Sequence, residues 1–171
     1  MDKMTNPDFM LFTDGSSYDQ DLYGGWAAYA RTPDKSVKLF RMGAVSGTTV
    51  DRAEMTAILE GLNMVLEASY AMPRQIPMGQ HHWKPRVQLF SDRENLVLSI
   101  QAVYARSNNP DLWKRFEYFE AHMVIDANHV ADETAFEEFV LVDLHASSAR
   151  IMVKNYADCC NLPANRLPKI K

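Results

Sequence analysis

Phe9-Met10-Leu11-Phe12-Thr13-Asp14-Gly15-Ser16 is the stretch on which the fold of this chain turns. Four apolar residues in a row run into an acid, a glycine and a serine, which reads as a strand that ends in a turn carrying a carboxylate. The strand signal then recurs twice. Gly24 to Arg31 is rich in Trp, Tyr and Ala and reads as a second strand, and Ser36 to Val45 as a third. Gly24-Gly25 and Thr32-Pro33-Asp34 supply the turns of an antiparallel meander. From Arg52 to Tyr70 the period changes. Met55, Ile58, Leu59, Leu62, Val65 and Leu66 recur at three and four, the spacing of one face of a helix.

Beyond that helix, Ala71 to Pro85 holds prolines, a glycine and His81-His82-Trp83, and is expected to be an inserted loop, residues 71–85. Arg86 to Phe90 is a short buried strand that ends at Ser91-Asp92. Helices are expected from Glu94 to Ala105 and from Asp111 to His122. Ile125 to Ala135 is polar and carries no clear period. Phe136 to Leu144 reads as a final strand, and Ser147 to Asn161 as a helix stopped by Pro163 and Pro168. Strands, helix, strand, helices, strand and helix in this order make a mixed α/β architecture, and 171 residues suit a single domain over 1–171.

Composition narrows the class. The formal net charge is −4, from 18 Lys and Arg against 22 Asp and Glu. That is the wrong sign for strong nucleic-acid binding unless one face is basic or a protein partner compensates. Cys159 and Cys160 are adjacent and have no spaced companions, which excludes a disulfide framework and a cysteine metal site. No apolar run is long enough to span a bilayer, and the N-terminus has no signal core, so a cytoplasmic protein is expected.

Three acids occupy positions from which they can meet. Asp14 and Asp92 each end a strand, and Glu54 sits in the first turns of a helix that can pack over the same sheet edge. A pair of divalent cations about 4 Å apart would need such a set of hard oxygen ligands. The plainer alternative makes Asp14 a turn former, Glu54 a solvated helix residue and Asp92 a helix cap; the three together in these contexts favour the cluster.

The words around the acids resemble those of the type 1 ribonuclease H family. Thr13-Asp14-Gly15-Ser16 looks like the family's first-strand motif, and Thr49-Val50-Asp51-Arg52-Ala53-Glu54-Met55 is similar to its helix-opening motif. Ser91-Asp92 resembles the third, and Asp111-Leu112-Trp113-Lys114-Arg115 resembles a stretch of bacterial members. The resemblance implies a five-stranded mixed sheet in the order 3-2-1-4-5 flanked by helices. It implies cleavage of the RNA strand of RNA–DNA hybrids with two Mg²⁺ ions, for which Mn²⁺ can substitute. By the same resemblance Asp14, Glu54 and Asp92 bind metal, Thr49 and Arg52 engage the nucleic-acid backbone, and Gly15 and Ser16 lie at the substrate.

The C-terminal motif departs from the family's pattern. Leu144-His145-Ala146-Ser147 stands in place of Gly-His, and Tyr156-Ala157-Asp158 in place of the final acid motif. Asp158 is therefore expected as the fourth metal ligand and His145 as a proton shuttle or aid to product release, with Asp143 the competing fourth acid. Asp51 and Glu94 replace amides of the family's pattern, and only Tyr104 to Asn109 separates two helices where some bacterial members carry a basic handle. Two other functions stay open on these grounds: a nuclease of the same fold acting on DNA or structured RNA, and a weakly active nucleic-acid or protein-binding module.

Overall fold

The computed structural model describes residues 4–17, 23–72, 83–130 and 137–160, the last five of these by their backbone alone. The first three strands are β1 (Phe9–Ser17), β2 (Tyr23–Arg31) and β3 (Lys38–Ser46). Then come α1 (Val50–Ala71), β4 (Arg86–Ser91), α2 (Glu94–Ile100), α3 (Pro110–His122), β5 (Val124–His129) and α4 (Glu137–Cys160). The strands form one sheet in the order β3-β2-β1-β4-β5. The β1–β2 and β2–β3 pairs are antiparallel, and β4 runs parallel to both β1 and β5. This is the expected architecture and strand order.

Alternation along β1 sends side chains to two cores. Phe9 and Leu11 join the cluster beneath α1, with Ile58, Leu59, Leu62 and Val65. Phe12 points the other way, stacked on Phe90 at 5.0 Å and met edge-on by Phe139 of α4 at 5.7 Å. The sheet is thus covered on both faces, which suits its parallel half. α1 starts where Thr49 caps it, its hydroxyl accepting from the Arg52 N–H at 3.1 Å.

α4 crosses the opposite face obliquely. Phe139, Val142 and Ala146 pack on Phe12 and Ala27, while Ala149 and Val153 reach Ala44 on β3. Its start is tied down by Arg31, which donates to Glu138 at 2.8 Å with both side chains largely buried. Gly25 permits the approach: a Cβ there would overlap the Ala146 carbonyl oxygen.

Two assignments near the C-terminus change. The final strand is Val124–His129, inside the polar stretch, and Phe136 to Leu144 is helix from Glu137 onward. β5 is an edge strand whose two faces are only partly covered, so Asp126, Asn128 and His129 cost little there and mask the strand period. In the helix, the buried set 139, 142, 146, 149 and 153 carries the three-and-four spacing. The exposed Val140 and Leu144 on its outer side imitate a strand alternation. α2 also stops early, at Ile100 and not Ala105, where Ala102 turns left-handed with φ 60°. Of the expected inserted loop, residues 73–82 lie outside the described residues.

Candidate metal centre

Asp14 and Asp92 come from neighbouring parallel strands. Asp14 lies in β1, and Asp92 comes directly after β4, whose Phe90 pairs with Phe12. The Thr13 hydroxyl reaches the Phe90 carbonyl at 3.5 Å across the same seam. α1 brings Glu54 over this edge. Gly15 is what lets it come so close, because a Cβ at Gly15 would overlap the Glu54 backbone nitrogen. The three carboxylates offer oxygens that all lie within 4.8 Å of one another, and Asp14 and Glu54 are 4% and 3% exposed.

Glu54 is the electrostatic centre of the group. Burial, then the charges of Asp14 and Asp92, push its carboxyl well above the usual carboxylate range, against a stabilising hydrogen bond from the Gly15 N–H. Glu54 also shares a hydrogen bond with Asp14, as two carboxylates can when one holds a proton. Even so, Glu54 Oε2 and Asp92 Oδ1 are buried with no hydrogen-bond partner among the described residues. Buried oxygens of this kind are costly unless something cationic meets them. The donor set is all carboxylate, which suits a hard cation such as Mg²⁺ or Mn²⁺ and not a soft one. These residues therefore fit the metal that their fold implies.

The other expected site residues lie at varying distances from this cluster. Gly15 and Ser16 sit in the β1–β2 ladder opposite Trp26 and Gly25. Thr49 caps α1, and Arg52 forms a two-pronged ion pair with Asp111 at 3.0 and 2.6 Å, with Asn109 at 3.3 Å. Asp51 is paired too: Arg93 donates to its Oδ1 from Nε and Nη2 at 2.9 and 2.6 Å. The structure does not bring His145 to the acids. It lies within α4, its Nδ1 donating to the Leu141 carbonyl at 2.8 Å and its ring edge-on to Phe40 of β3 at 4.6 Å. Asp158 is in the last turns of α4, and its side chain lies outside the described residues.

Sequence reasoning passed over one histidine. His129 ends β5 opposite Ser91, and its Nε2 donates to the main-chain carbonyl of Asp92 at 3.1 Å. The signal that could have found it is the parallel pairing of β5 with β4, which sets the end of one strand beside the acid that ends the other.

A mixed sheet in this order, with acids from two central strands and the first helix, defines the class of ribonuclease H-like folds. The chain belongs to the RNase H family, whose model matches residues 6–139. Among curated relatives, a ribonuclease H of Campylobacter jejuni is 28% identical over 114 residues, 62% of this chain and 66% of that protein. One of Polaromonas naphthalenivorans is 26% identical over 132 residues, covering 72% and 71%. One of Albidiferax ferrireducens is 40% identical over a shorter match, 30% of this chain and 34% of that protein. The matched part of the chain thus spans 34% of the length of the Albidiferax protein and 66% of the Campylobacter one. Solved structures share the fold. The N-terminal RNase H domain of Rv2228c from Mycobacterium tuberculosis has a TM-score of 0.67 at 15% identity, covering 87% of this chain and 97% of that one. LC11-RNase H1, solved in complex with an RNA/DNA hybrid, has a TM-score of 0.60 at 17% identity, covering 84% and 97%.

Proposed function

We propose that this chain is a metal-dependent endoribonuclease that cleaves the RNA strand of RNA–DNA hybrids, using two Mg²⁺ ions or Mn²⁺ in their place. The observation that carries the proposal is the cluster of Asp14, Glu54 and Asp92, with two buried carboxylate oxygens lacking a partner among the described residues. At such a centre divalent ions supply an activated water and charge stabilisation for the leaving oxygen of an in-line displacement. The chain's own part is positional. Two parallel strands hold Asp14 and Asp92 in place, Gly15 orients Glu54 through its N–H, and burial keeps the Asp14 and Glu54 carboxylates from bulk water. His129, its Nε2 donating to the Asp92 carbonyl, stands beside the acids in the place expected of His145.

The fourth acid is better supplied by Asp143 than by Asp158. Asp143, Ser147 and Arg150 are spaced four and three apart and share one face of α4. Arg150 reaches the Ser17 carbonyl at 3.4 Å, so that face turns toward the C-terminal end of β1. Asp158 lies 15 residues farther along, about 22 Å at the rise of a helix. It is also past Val153, which already packs over β3.

No helix among the described residues is long and apolar enough to cross a membrane. We take the protein to work in the cytoplasm, with a protein partner offsetting its acidic charge. The test is cleavage of a labelled hybrid. RNA-strand products are expected with Mg²⁺ or Mn²⁺, none with EDTA, and none from Asp14→Asn, whose amide cannot replace a charged ligand at a hard cation. Full activity of that variant, or activity without divalent ions, contradicts the proposal.

A further inference from the structure

α4 is apolar on both of its sides, and the sheet covers one of them. Phe139, Val142, Ala146, Ala149 and Val153 face the sheet. On the outer side stand Val140, Leu144, Ile151 and Met152, each between 43% and 61% exposed, with the half-buried Leu141 among them. A helix at a protein surface normally turns a polar face outward, and one that is apolar all round is buried by something. The charged Asp143, Arg150 and Lys154 fall along one flank instead, spaced seven and four apart. Phe40 of β3, edge-on to His145, is also exposed and widens the apolar area on the other flank.

The outer residues follow a regular order. Glu137, Leu141, Leu144, Ser148, Ile151 and Asn155 recur at four, three, four, three and four, the spacing of a seam between two helices. That order reads alike in both directions about its middle. Laid antiparallel on a second copy of α4, Leu144 comes level with Ser148 of that copy, Leu141 with Ile151, and Glu137 with Asn155. A large side chain thus meets a small one at the centre, two apolar layers lie outside it, and a polar pair closes each end. Val140 and Met152 cover the flanks. Ser148 suits the centre because its hydroxyl already donates to the Leu144 carbonyl of its own helix at 2.8 Å, so no donor is stranded when a leucine covers it.

We propose that the outer face of α4 is a dimer interface, on which a second copy of this chain packs its own α4 antiparallel across a two-fold axis level with Ala146. An isologous dimer needs a surface that complements itself, which this stripe does and which a different partner would not require. Covering the stripe on both copies removes roughly 1,000 Å² from water, the lower limit of a specific interface. The dimer is therefore reversible, with a dissociation constant in about the micromolar range. The metal-centre acids come from β1, β4 and α1, so the inference rests on α4 alone and stands whether or not the chain cleaves hybrids.

The test is sedimentation equilibrium of the full chain at moderate salt, which screens the repulsion between two copies of net charge −4. Over roughly a hundredfold range of concentration around micromolar, the average mass should rise from one chain toward two. Leu144→Glu and Ile151→Glu replace outer side chains only. Each should keep the wild-type circular dichroism and low-concentration melting while weakening association about tenfold or more, since a charge in the seam must be desolvated. Asn155→Lys sets a lysine opposite Glu137 of the second copy at both ends, and should tighten association by about twofold to tenfold; Asn155→Glu should weaken it by a similar factor. That contrast belongs to the antiparallel register, because in a parallel pair position 155 meets itself and either charge weakens. A mass of one chain throughout overturns the proposal and leaves the stripe to a different protein or another part of this chain. A dimer indifferent to Leu144→Glu and Ile151→Glu, or an Asn155→Lys variant that associates no more tightly than the wild type, overturns it as well.

Discussion

Glu54 carries the largest upward carboxyl shift among the described residues, and that shift has a sign that can be measured. Its carboxyl is held well above the ordinary range by burial and by Asp14 and Asp92. In the metal-free protein the folded state therefore keeps a proton that the unfolded chain gives up near its ordinary pKa of about 4.3. The stability this proton contributes is fully present below that pH and is lost as pH rises through the folded value. Melting in EDTA should thus show a fall in stability with rising pH that Glu54→Gln lacks. Mg²⁺ should raise the melting temperature most at the alkaline end, where the carboxylates are charged. A wild-type profile that matches Glu54→Gln would mean that Glu54 is not strained. Asp14, Glu54 and Asp92 were legible in the sequence because each sits beside a strong local signal, an apolar run, a helix start and a strand end, although Asp14 and Gly15 lie inside β1, paired with Ala27 and Trp26, and not in the turn expected there. His129 was not, because nothing local marks it; only the parallel pairing of β5 with β4 sets it against the Asp92 carbonyl.

At the level of elements, legibility tracked burial. β1 and α1 are buried along a whole face, and their periods read plainly, whereas β5 is half exposed and its pattern is diluted by Asp126 and Asn128. α4 misled because Val140 and Leu144, apolar but exposed, sit among the buried Phe139, Val142 and Ala146. The corrected helix also bears on the proposed fourth acid and gives a clear comparison. Asp143→Asn should lower turnover at low Mg²⁺ with partial recovery in Mn²⁺, and Asp158→Asn should behave much as the wild type. A metal titration showing the reverse restores Asp158. The early end of α2 is testable on stability alone. Ala102 holds φ 60°, a left-handed conformation that costs an L-residue about 1 kcal/mol or more. Ala102→Gly should therefore stabilise the protein by roughly 1 kcal/mol in urea unfolding, less the extra entropy glycine gives the unfolded chain. Destabilisation would mean that the Ala102 methyl group packs in a way that outweighs the backbone relief.

The molecule as a whole carries a net charge of −4, and the two arginines that neighbour the metal-centre acids in sequence are each met by an acid: Arg93, directly after Asp92, by Asp51, and Arg52, two residues before Glu54, by Asp111. The hydrogen bonds to Asp111 raise the Arg52 guanidinium's affinity for its proton, and those from Arg52 lower the Asp111 carboxyl to about 2, so this pair stays charged across the physiological range. Both pairs are substantially exposed, and exposed pairs stabilise a fold little. Their larger effect is on what the rim offers a phosphate, since a guanidinium gripped by a carboxylate on two prongs must exchange partners before it can bind one. Binding of hybrids should accordingly be weak and fall steeply with salt. Asp111→Asn should release Arg52, tighten binding of every hybrid sequence alike, and steepen the log–log salt slope by about 0.9, the value for one added phosphate contact. The double variant Arg52→Ala with Asp111→Asn separates this from a general loss of negative charge. If tightening persists without Arg52, removal of the Asp111 charge alone is the cause; if it disappears, the ion pair is what holds the guanidinium back from the nucleic acid.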